Sequence, residues 1–282
     1  MKASKTIPRI VLTVFLLLNG ASGFQGKGVQ QLKTKLIESD FEKERIEQIF
    51  SDPRFKIYHD LPSIWSRAKK IDYIERGFCS EKSIEDGLKF FISNSKSMSK
   101  AWKEYEVGGE YITALLKMES DLGRNMGERT VLNSLASNWF YIDGSTEKGK
   151  NKERIFYEEI VELLKMEGVL YKDDSDIFSL EGSYGGAFGW PQSIPTSYKN
   201  LGVDFDMDGD IDIIDPNDPD DSIGFIANYL VKHGFKEDKF NAIQDYNPND
   251  GEKFPKAIIL YADKLREKFI KSITPYLSRI TF

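Results

Sequence analysis

An acidic segment from Asp204 to Asp215 has the composition and spacing of a metal-binding loop. Its sequence, Asp-Phe-Asp-Met-Asp-Gly-Asp-Ile-Asp-Ile-Ile-Asp, places carboxylates at loop positions 1, 3, 5, 7, 9 and 12 and a glycine at position 6. An EF-hand calcium loop has this spacing, because alternate residues turn oxygen ligands towards one hard cation and the glycine allows a sharp bend. Carboxylates this close together repel each other unless a cation neutralises them. We therefore expect a structural Ca2+ site at 204–215, and a solvated acidic turn is the other interpretation.

Glu119 is the candidate for proton-transfer chemistry. It stands near the end of an apolar helical segment, in the sequence Met-Glu-Ser-Asp-Leu-Gly that closes at Gly123. A carboxyl group near the buried face of a helix is desolvated, and desolvation raises its pKa towards the range of a general acid. Surface glutamates also occur at helix ends, so this motif alone leaves both roles open.

Residues 182–198 form a loop rich in glycine and aromatic residues, Gly-Ser-Tyr-Gly-Gly-Ala-Phe-Gly-Trp-Pro-Gln-Ser-Ile-Pro-Thr-Ser-Tyr. Its glycines allow the backbone to approach a ligand closely. Its aromatic rings offer stacking faces, and Ser183 and Gln192 offer hydrogen bonds. A tightly turned structural loop could have the same composition, so a ligand-binding role is a hypothesis at this point.

Taken in order, these motifs resemble the lytic murein transglycosylase B family. The Glu-Ser-Asp-Leu-Gly helix end, the glycine-aromatic loop and the acidic loop are followed by Ile-Ala-Asn-Tyr-Leu, which contains Tyr229, and by Tyr-Asn-Pro, which begins at Tyr246. The resemblance covers roughly residues 30–265. It implies a mainly α, lysozyme-like catalytic domain with a glycan-binding cleft and an inserted EF-hand-like calcium loop.

The resemblance also implies an activity and a set of site residues. In this family a single glutamate, which matches Glu119, first protonates the glycosidic oxygen between N-acetylmuramic acid and N-acetylglucosamine. It then acts as a base while the muramic 6-hydroxyl attacks its own anomeric carbon, which gives a 1,6-anhydro sugar. The implied substrate-binding residues are Ser183, Gln192, Tyr229, Tyr246, Asn247 and Arg154. The implied calcium ligands are Asp204, Asp206, Asp208, Asp210 and Asp215, with Asp210 binding through its backbone carbonyl.

The chain departs from the family pattern in three places. Glu153 stands beside Arg154 where relatives have two adjacent arginines, so that pair is half lost. The segment between Tyr229 and Tyr246 is short, which implies that part of the cleft wall is missing. Extra residues follow the acidic loop at 217–220 and are expected to alter its exit.

Two other functions fit the same motifs. A hydrolytic muramidase would need a second carboxylate to activate water, roughly 6.5–9.5 Å from the first in an inverting enzyme. Asp121 and Asp143 are the candidates for that carboxylate. A catalytically inactive, calcium-stabilised peptidoglycan-binding protein is the alternative from another functional class.

The elements that must position these residues are predicted to be helices, and no run alternates as a long strand, so the class is mainly α. The periodicity predicts helices within 28–52, 81–105, 110–119, 129–141, 152–166, 223–231 and 254–272. We expect an N-terminal helical region at 24–105 that packs on a catalytic core at 106–282. The aromatic-rich stretch 50–80 is expected to belong mainly to the hydrophobic core, and Cys79 is expected to be buried.

Composition narrows the class of protein. The chain has 282 residues, of which 40% are hydrophobic and 30% charged, which excludes a disordered chain. Its net charge of -6 disfavours a nucleic-acid partner. Residues 1–23 combine a basic start, a short apolar run and small residues, which is typical of a secretory signal peptide, with an uncleaved anchor as the alternative. We expect an exported, soluble monomer in the periplasm or outside the cell that acts on peptidoglycan strands and has no stable membrane span.

Overall fold

The computed structural model describes residues 28–67 and 72–277. The predicted signal segment 1–23 lies outside these described residues. Within them the chain is mainly helical, with a single two-stranded antiparallel sheet in which β1 (Arg129–Thr130) pairs with β2 (Glu181–Gly182). The helices are α1 (Val29–Glu38), α2 (Lys43–Ser51), α3 (Leu61–Arg67), α4 (Glu81–Ser93), α5 (Ser95–Tyr105), α6 (Gly109–Ser120), α7 (Val131–Tyr141), α8 (Glu147–Leu164), α9 (Pro195–Leu201), α10 (Asp220–Lys232), α11 (Lys239–Tyr246) and α12 (Lys253–Leu277).

Side-chain caps define where several helices begin. The Ser80 hydroxyl accepts a hydrogen bond from the backbone of Ser83 at the start of α4, and Thr146 and Asp238 do the same at the starts of α8 and α11. Each cap satisfies a backbone N–H group that has no partner within its own helix. The cap at Ser80 marks the predicted start of the 81–105 segment, whereas α8 begins five residues before the predicted 152.

The structure confirms that all the predicted helical segments contain helix and refines their limits. The 28–52 segment is divided into α1 and α2, and the 81–105 segment is divided at Asn94 into α4 and α5. Three helices were not anticipated: α3, α9 and α11, which have 7, 7 and 8 residues. Helices of two turns present too few apolar repeats to give a clear periodic signal.

Helix α6 lies at the centre of the protein. Its residues from Tyr111 to Leu116 are all buried, and it packs against α4, α5, α10 and α12. Helix α7 packs against α8, and α9 packs against α8 as well. One contiguous hydrophobic cluster extends from Leu32 to Leu265. A helix surrounded in this way gives a rigid base for a side chain at its end.

The N-terminal helices share this core with the rest of the chain, and Cys79 is buried in it, as expected. The division at residue 105 into an N-terminal region and a catalytic core stays a prediction. Across the described ranges, no helix is both long enough and apolar enough to cross a bilayer.

A close approach of α4 and α12 depends on Gly87. A Cβ atom at this position would lie 2.2 Å from the hydroxyl of Tyr261, which donates a hydrogen bond of 2.7 Å to the carbonyl of Ser83. Because the ring is held by that bond and by the buried surroundings, it has little freedom to move away.

We predict that Gly87→Ala lowers the free energy of unfolding by about 1–3 kcal/mol, because the added methyl group overpacks the contact between α4 and α12. At an open helix position the same substitution would raise the stability by up to about 1 kcal/mol. The midpoint of urea unfolding measures the effect. Adding Tyr261→Phe, which removes the clashing oxygen, should make the glycine replacement less costly than in the wild-type background. A higher midpoint for Gly87→Ala alone would contradict the packing argument.

Candidate active site

Glu119 projects from the last turn of α6, which ends in a tight reversal of the chain. Asp121, Leu122 and Gly123 all have left-handed backbone angles, with φ of 53°, 59° and 78°. The N–H of Leu122 donates back to the carbonyl of Leu116 at 3.0 Å, which is a helix-ending bond of the kind that satisfies terminal carbonyls. A Cβ at Gly123 would lie 2.6 Å from the ring of Trp190, so only glycine allows the turn to pack there.

Ion pairs hold the outer side of this turn. Asp121 lies 2.5 Å from the ammonium of Lys117 and accepts two hydrogen bonds, of 2.8 and 3.0 Å, from Arg124. Lys117 and Arg124 also lie 3.6 and 3.4 Å from Asp86. The carboxylate of Asp121 is thus occupied by two cations, and the pKa of Asp121 is lowered by its bonds to Arg124 and Lys117 against the effect of burial. A role as a second catalytic carboxylate is therefore poorly supported for Asp121.

Asp143, the other candidate for a second carboxylate, lies in the turn before α8. Its two oxygens accept hydrogen bonds of 2.9 Å from the backbone N–H and from the hydroxyl of Ser145. This arrangement is a local turn motif, in which the side chain satisfies the backbone two residues ahead.

The carboxyl group of Glu119 is held in a desolvated environment. Its Oε1 atom is buried and has no hydrogen-bond partner within the described part of the chain. Burial, followed by the negative charge of Asp250, raises the pKa of Glu119 from 4.5 to about 8. Both effects disfavour the ionised form, so this group is protonated at neutral pH and can serve as a proton donor.

Tyr246, which was predicted from the sequence, lies near this carboxyl group, and the predicted Tyr229 packs against it. Tyr246 is fully buried, its ring centroid is 4.7 Å from that of Tyr229, and its hydroxyl donates to the carbonyl of Pro191 at 2.5 Å. Burial, and then the charge of Glu119, raise the pKa of Tyr246 well above its ordinary value, so its hydroxyl stays neutral. The next residue, Asn247, is buried, and its amide donates to Asp250 at 3.2 Å.

The glycine-aromatic loop lies between the end of α6 and the acidic loop. The amide of Gln192 donates to the carbonyls of Met126 and Gly189 at 2.9 and 3.0 Å, which ties this loop to the segment after Glu119. Ser183 closes a turn of the loop by accepting from the N–H of Ala187 at 3.2 Å. Hydrogen bonds within the loop and to the segment after Glu119 thus fix its conformation. They already use the side-chain N–H groups of Gln192.

Three further residues of this site were missed by sequence reasoning. Asp250 follows Tyr246 by four positions, in a short 3-10 turn (Pro248–Asp250), and it accepts a hydrogen bond from the hydroxyl of Tyr73. Tyr184 belongs to the glycine-aromatic loop, and burial followed by the charge of Asp250 raises its pKa to about 12. Tyr73 lies in the aromatic-rich stretch expected to be core. It does pack against Phe254, with ring centroids 6.1 Å apart, but its hydroxyl reaches the carboxylates.

Arg154 is placed on the exposed side of α8. Its guanidinium is 2.6 Å from Glu158 and 3.0 Å from the side-chain oxygen of Asn151. Neighbouring Glu153 accepts from Lys35 at 3.4 Å. None of these described contacts joins Arg154 to the group around Glu119, and its role in binding a carboxylate stays a prediction.

The acidic loop turns carboxylates towards common points, as a cation site requires. The groups whose oxygens lie within 4.8 Å of one another are Asp204, Asp206 and Asp208; Asp206, Asp218 and Asp220; and Asp210, Asp212 and Asp221. The N–H groups of Asp208 and Gly209 donate to Asp204 at 3.1 and 3.2 Å, which folds the chain around its first carboxylate. Gly209 has φ of 110°, at the loop position where a sharp bend is expected.

The residues after the acidic loop, which were expected to alter its exit, bring carboxylates back towards it. Asp215 lies outside these three groups and accepts from the N–H of Asn217 at 2.7 Å, whereas Asp218 and Asp220 approach Asp206. The residues that follow position 12 thus bring new carboxylates to the loop. Asp221 is buried, and it fastens both sides of the loop by accepting from the N–H groups of Phe205 and Asp212 at 2.5 and 2.9 Å.

The sequence profile of the transglycosylase SLT domain family matches residues 25–263 of this chain. The chain is 32% identical over 158 residues to the membrane-bound lytic murein transglycosylase B of Escherichia coli strain K12. That match covers 56% of this chain and 40% of the E. coli protein. The chain thus spans less than half the length of this curated relative.

Solved structures share the fold. The E. coli lytic transglycosylase Slt35 in complex with bulgecin A superposes with a TM-score of 0.71 at 21% identity, covering 91% of this chain and 97% of that one. Slt35 in complex with calcium gives a TM-score of 0.70 at the same identity and coverage. The soluble lytic transglycosylase SltB1 of Pseudomonas aeruginosa gives 0.71 at 22% identity, covering 84% and 98%. These likenesses confirm the predicted mainly α, lysozyme-like fold class.

We predict that Glu119→Gln stabilises the protein in a pH-dependent way. Because the folded-state pKa of about 8 lies above the ordinary value of 4.5, the stability of the wild type falls as the pH rises between these two values. The Gln side chain does not ionise. At pH 9 the variant therefore avoids the free-energy cost of ionising a desolvated carboxyl in the folded state, which is on the order of a few kcal/mol.

Thermal unfolding of both proteins from pH 4 to 9 tests this expectation. The difference in Tm should be small at the acidic end and should grow with pH. Glu104→Gln, an exposed glutamate on α5, serves as the control and should show no such growth. A Tm difference for Glu119→Gln that stays constant with pH would show that the carboxyl is not desolvated.

Proposed function

This chain belongs to the transglycosylase SLT domain family, and on that basis we propose that it is a lytic murein transglycosylase. In this proposal it cleaves the β-1,4 bond between N-acetylmuramic acid and N-acetylglucosamine and forms a 1,6-anhydro end. The observation that carries the proposal is the desolvated carboxyl of Glu119, which has its proton at neutral pH and has no cation paired with it among the described residues.

The reaction needs one group that is an acid first and a base second. In the first step the Glu119 proton passes to the glycosidic oxygen, the bond from that oxygen to the anomeric carbon breaks, and the N-acetylglucosamine end leaves as an alcohol. In the second step the muramic 6-hydroxyl attacks the anomeric carbon, and its proton passes to the Glu119 carboxylate. Glu119 therefore ends in its starting state, and a second acid/base residue is not required, unlike in two-carboxylate glycosidases.

The residues around Glu119 support binding of a glycan. Tyr246 lies near the Glu119 carboxyl and packs against Tyr229, and Asn247 is the next residue along the chain. Ser183 and Gln192 lie in the glycine-aromatic loop, which is tied by Gln192 to the segment after Glu119. We propose that Ser183, Gln192 and Asn247 contact the sugars, that the fully buried Tyr229 and Tyr246 support this site from behind, and that Arg154, on the exposed face of α8, meets a carboxylate of the substrate.

Hydrolysis is the second candidate, because Asp250 provides a carboxylate that influences Glu119. A hydrolase would place a water molecule between the two groups and would release reducing ends. The hydrogen bonds that Asp250 accepts from Tyr73 and Asn247 already occupy one of its oxygens, and this favours a supporting role over activation of water.

The products formed from purified peptidoglycan test the proposal directly. We predict muropeptides lighter than the hydrolytic ones by one water, about 18 Da, because the sugar's own hydroxyl replaces water as nucleophile. Glu119→Gln should abolish them, and mass spectrometry of the released fragments measures both results.

Glu110→Gln is the matched control, since Glu110 lies on the same helix but pairs with Arg266 far from the cleft. It should retain the activity. Reducing-end products from the wild type would mean that the protein is a hydrolase. Sedimentation with peptidoglycan without any product, unchanged in Glu119→Gln, would mean that it is a binding protein.

We further propose that the acidic loop binds a structural Ca2+. The donor set fits a hard cation, since it consists of carboxylates that already converge and of a glycine at the bend. Burial and neighbouring aspartates raise the pKa of Asp212 to about 7, which indicates an excess of negative charge that a cation would relieve. The proposed ligands are Asp204, Asp206, Asp208 and Asp210, together with one carboxylate from the end of the loop. Asp215, Asp218 and Asp220 are the candidates for that last ligand.

Calcium should raise the thermal stability of the protein. At 100 times its Kd, a ligand that binds only the folded state adds about 2.7 kcal/mol, which corresponds to roughly 5–10 °C for a chain of this size. Asp206→Asn, which removes a carboxylate shared by two groups, should largely abolish the shift, whereas Asp173→Asn outside the loop should not. Equal shifts in all three proteins would exclude this loop as the site.

The place of action is also part of the proposal. Residues 1–23 have the composition of a signal peptide, and the substrate class lies outside the cytoplasm. We propose that the protein is exported and works in the periplasm or outside the cell, with calcium available at its acidic loop.

A further inference from the structure

An open cavity lies beside the end of α6, and none of the roles described so far uses it. Its volume is about 560 Å³, which is a usual size for a small-ligand site. It is bordered by the segment before α4, by the first turns of α4, and by the last turn of α6 with the residues after it. The charged side chains that line it are Arg76, Lys82, Asp86, Lys117, Asp121 and Arg124.

The lining has an excess of positive charge and of hydrogen-bond donors. Four basic side chains stand against two carboxylates, so the ionised groups leave two positive charges uncompensated. Two serines complete the polar lining. The hydroxyl oxygen of Ser80 accepts the N–H of Ser83 at 3.4 Å, and its O–H remains able to donate. Ser83 is only 8% exposed, and its hydroxyl has no hydrogen-bond partner among the residues that the structure describes.

The carboxylates hold the basic groups in place without saturating them. Asp121 accepts from Nε and Nη2 of Arg124, which leaves Nη1 of this guanidinium without a partner inside the described ranges. Asp86 is shared by three cations, at N···O distances of 3.4, 3.6 and 3.4 Å from Lys82, Lys117 and Arg124. Direct charge-assisted hydrogen bonds are shorter, about 2.7–2.9 Å. Each of these cations therefore keeps donors for a further acceptor in the cavity.

Arg76 is the least engaged of the basic groups. It is exposed, and its side chain forms no salt bridge or hydrogen bond with the part of the chain that the structure describes. A guanidinium has five N–H donors and no acceptor, and its fork matches two oxygens of one oxyanion. The groups left unused in the cavity are thus almost all donors. They fit a ligand that offers only acceptors, and the two uncompensated charges fit a dianion.

We propose that this cavity binds a dianionic oxyanion of the phosphate class, either free phosphate or a phosphate monoester at the end of a larger molecule. Arg76 and Arg124 supply the guanidinium groups, and the start of α4 adds the positive end of a helix dipole. Lys117 precedes Glu119 by two positions, about 200° around the helix, so the site lies on the other side of α6 from the Glu119 carboxyl. The inference therefore holds whether or not the chain has the proposed activity.

Isothermal titration calorimetry of the full chain with inorganic phosphate tests the proposal. The titration is made near pH 8, where a phosphate group carries about two charges, with the ionic strength held constant by sodium chloride. The wild type should show saturable binding to one site. Arg76→Gln should raise the Kd by about tenfold, because it removes a charged partner of the ligand. Since Arg76 has no described side-chain contact to lose, the variant should unfold at the same temperature as the wild type when phosphate is absent.

Two further variants connect the binding to this cavity. Arg54→Gln removes an exposed guanidinium that pairs with Asp52 outside the cavity, and it should change the Kd by less than about twofold. Asp86→Asn removes the carboxylate that competes for three of the cations, and it should tighten phosphate binding several-fold. No saturable binding by the wild type, or equal Kd values for the wild type and Arg76→Gln, would overturn the proposal.

Other probes identify the chemistry and the source of the ligand. Acetate has one charge and should bind at least about tenfold more weakly than phosphate, and equal binding would contradict a dianion site. Glycerol 3-phosphate keeps the phosphate charge and adds a carbon chain. Binding as tight as that of phosphate would identify the ligand as the phosphate end of a larger molecule. Binding at least about tenfold weaker would identify it as free phosphate, because the cavity would then reject the attached chain.

Discussion

The rest of the site depends on the burial of one carboxyl oxygen at the end of α6. Removing the Oε1 atom of Glu119 from water without giving it a hydrogen-bond partner is unfavourable, so this side chain would turn further towards solvent unless its surroundings prevented it. The surroundings do so because α6 is packed on all sides and its last turn is locked by the left-handed residues 121–123. The large hydrophobic core offsets the local cost, and the reactive state of Glu119 is a consequence of that core.

Three segments converge on this carboxyl group, and their separation in sequence explains what could be predicted. Glu119, the pair Tyr246-Asn247 and the glycine-aromatic loop each have a local sequence signature, and the fold class followed from helical periodicity together with them. The contact between Tyr73 and Asp250 joins residues 177 positions apart. A single aspartate in a turn and a single tyrosine in an aromatic stretch carry no local sign of such a pairing, so only the three-dimensional packing shows it.

The acidic loop gives a similar contrast. Its spacing predicted the inward turn of Asp204, Asp206 and Asp208, because that turn is a local property of alternate residues around a glycine. Which carboxylate closes the loop depends on how the chain leaves it, and here the chain passes through residues 217–220 before α10, which begins at Asp220. The sequence identified this insertion as a departure from the family, but the approach of Asp218 and Asp220 to Asp206 required the geometry of the exit.

Trp190 connects the acidic loop to the end of α6, and this connection restricts how the protein can evolve. Its indole N–H donates to the carbonyl of Asp215 at 2.7 Å, its backbone N–H donates to Ile213 at 3.0 Å, and its ring occupies the space left by the missing side chain of Gly123. A larger residue at 123, a smaller ring at 190 or a shifted backbone at 213–215 would each disturb the other two positions. Substitutions at these positions should therefore occur together in descendants of this sequence, because a change in the acidic loop requires a compensating change in the turn after Glu119.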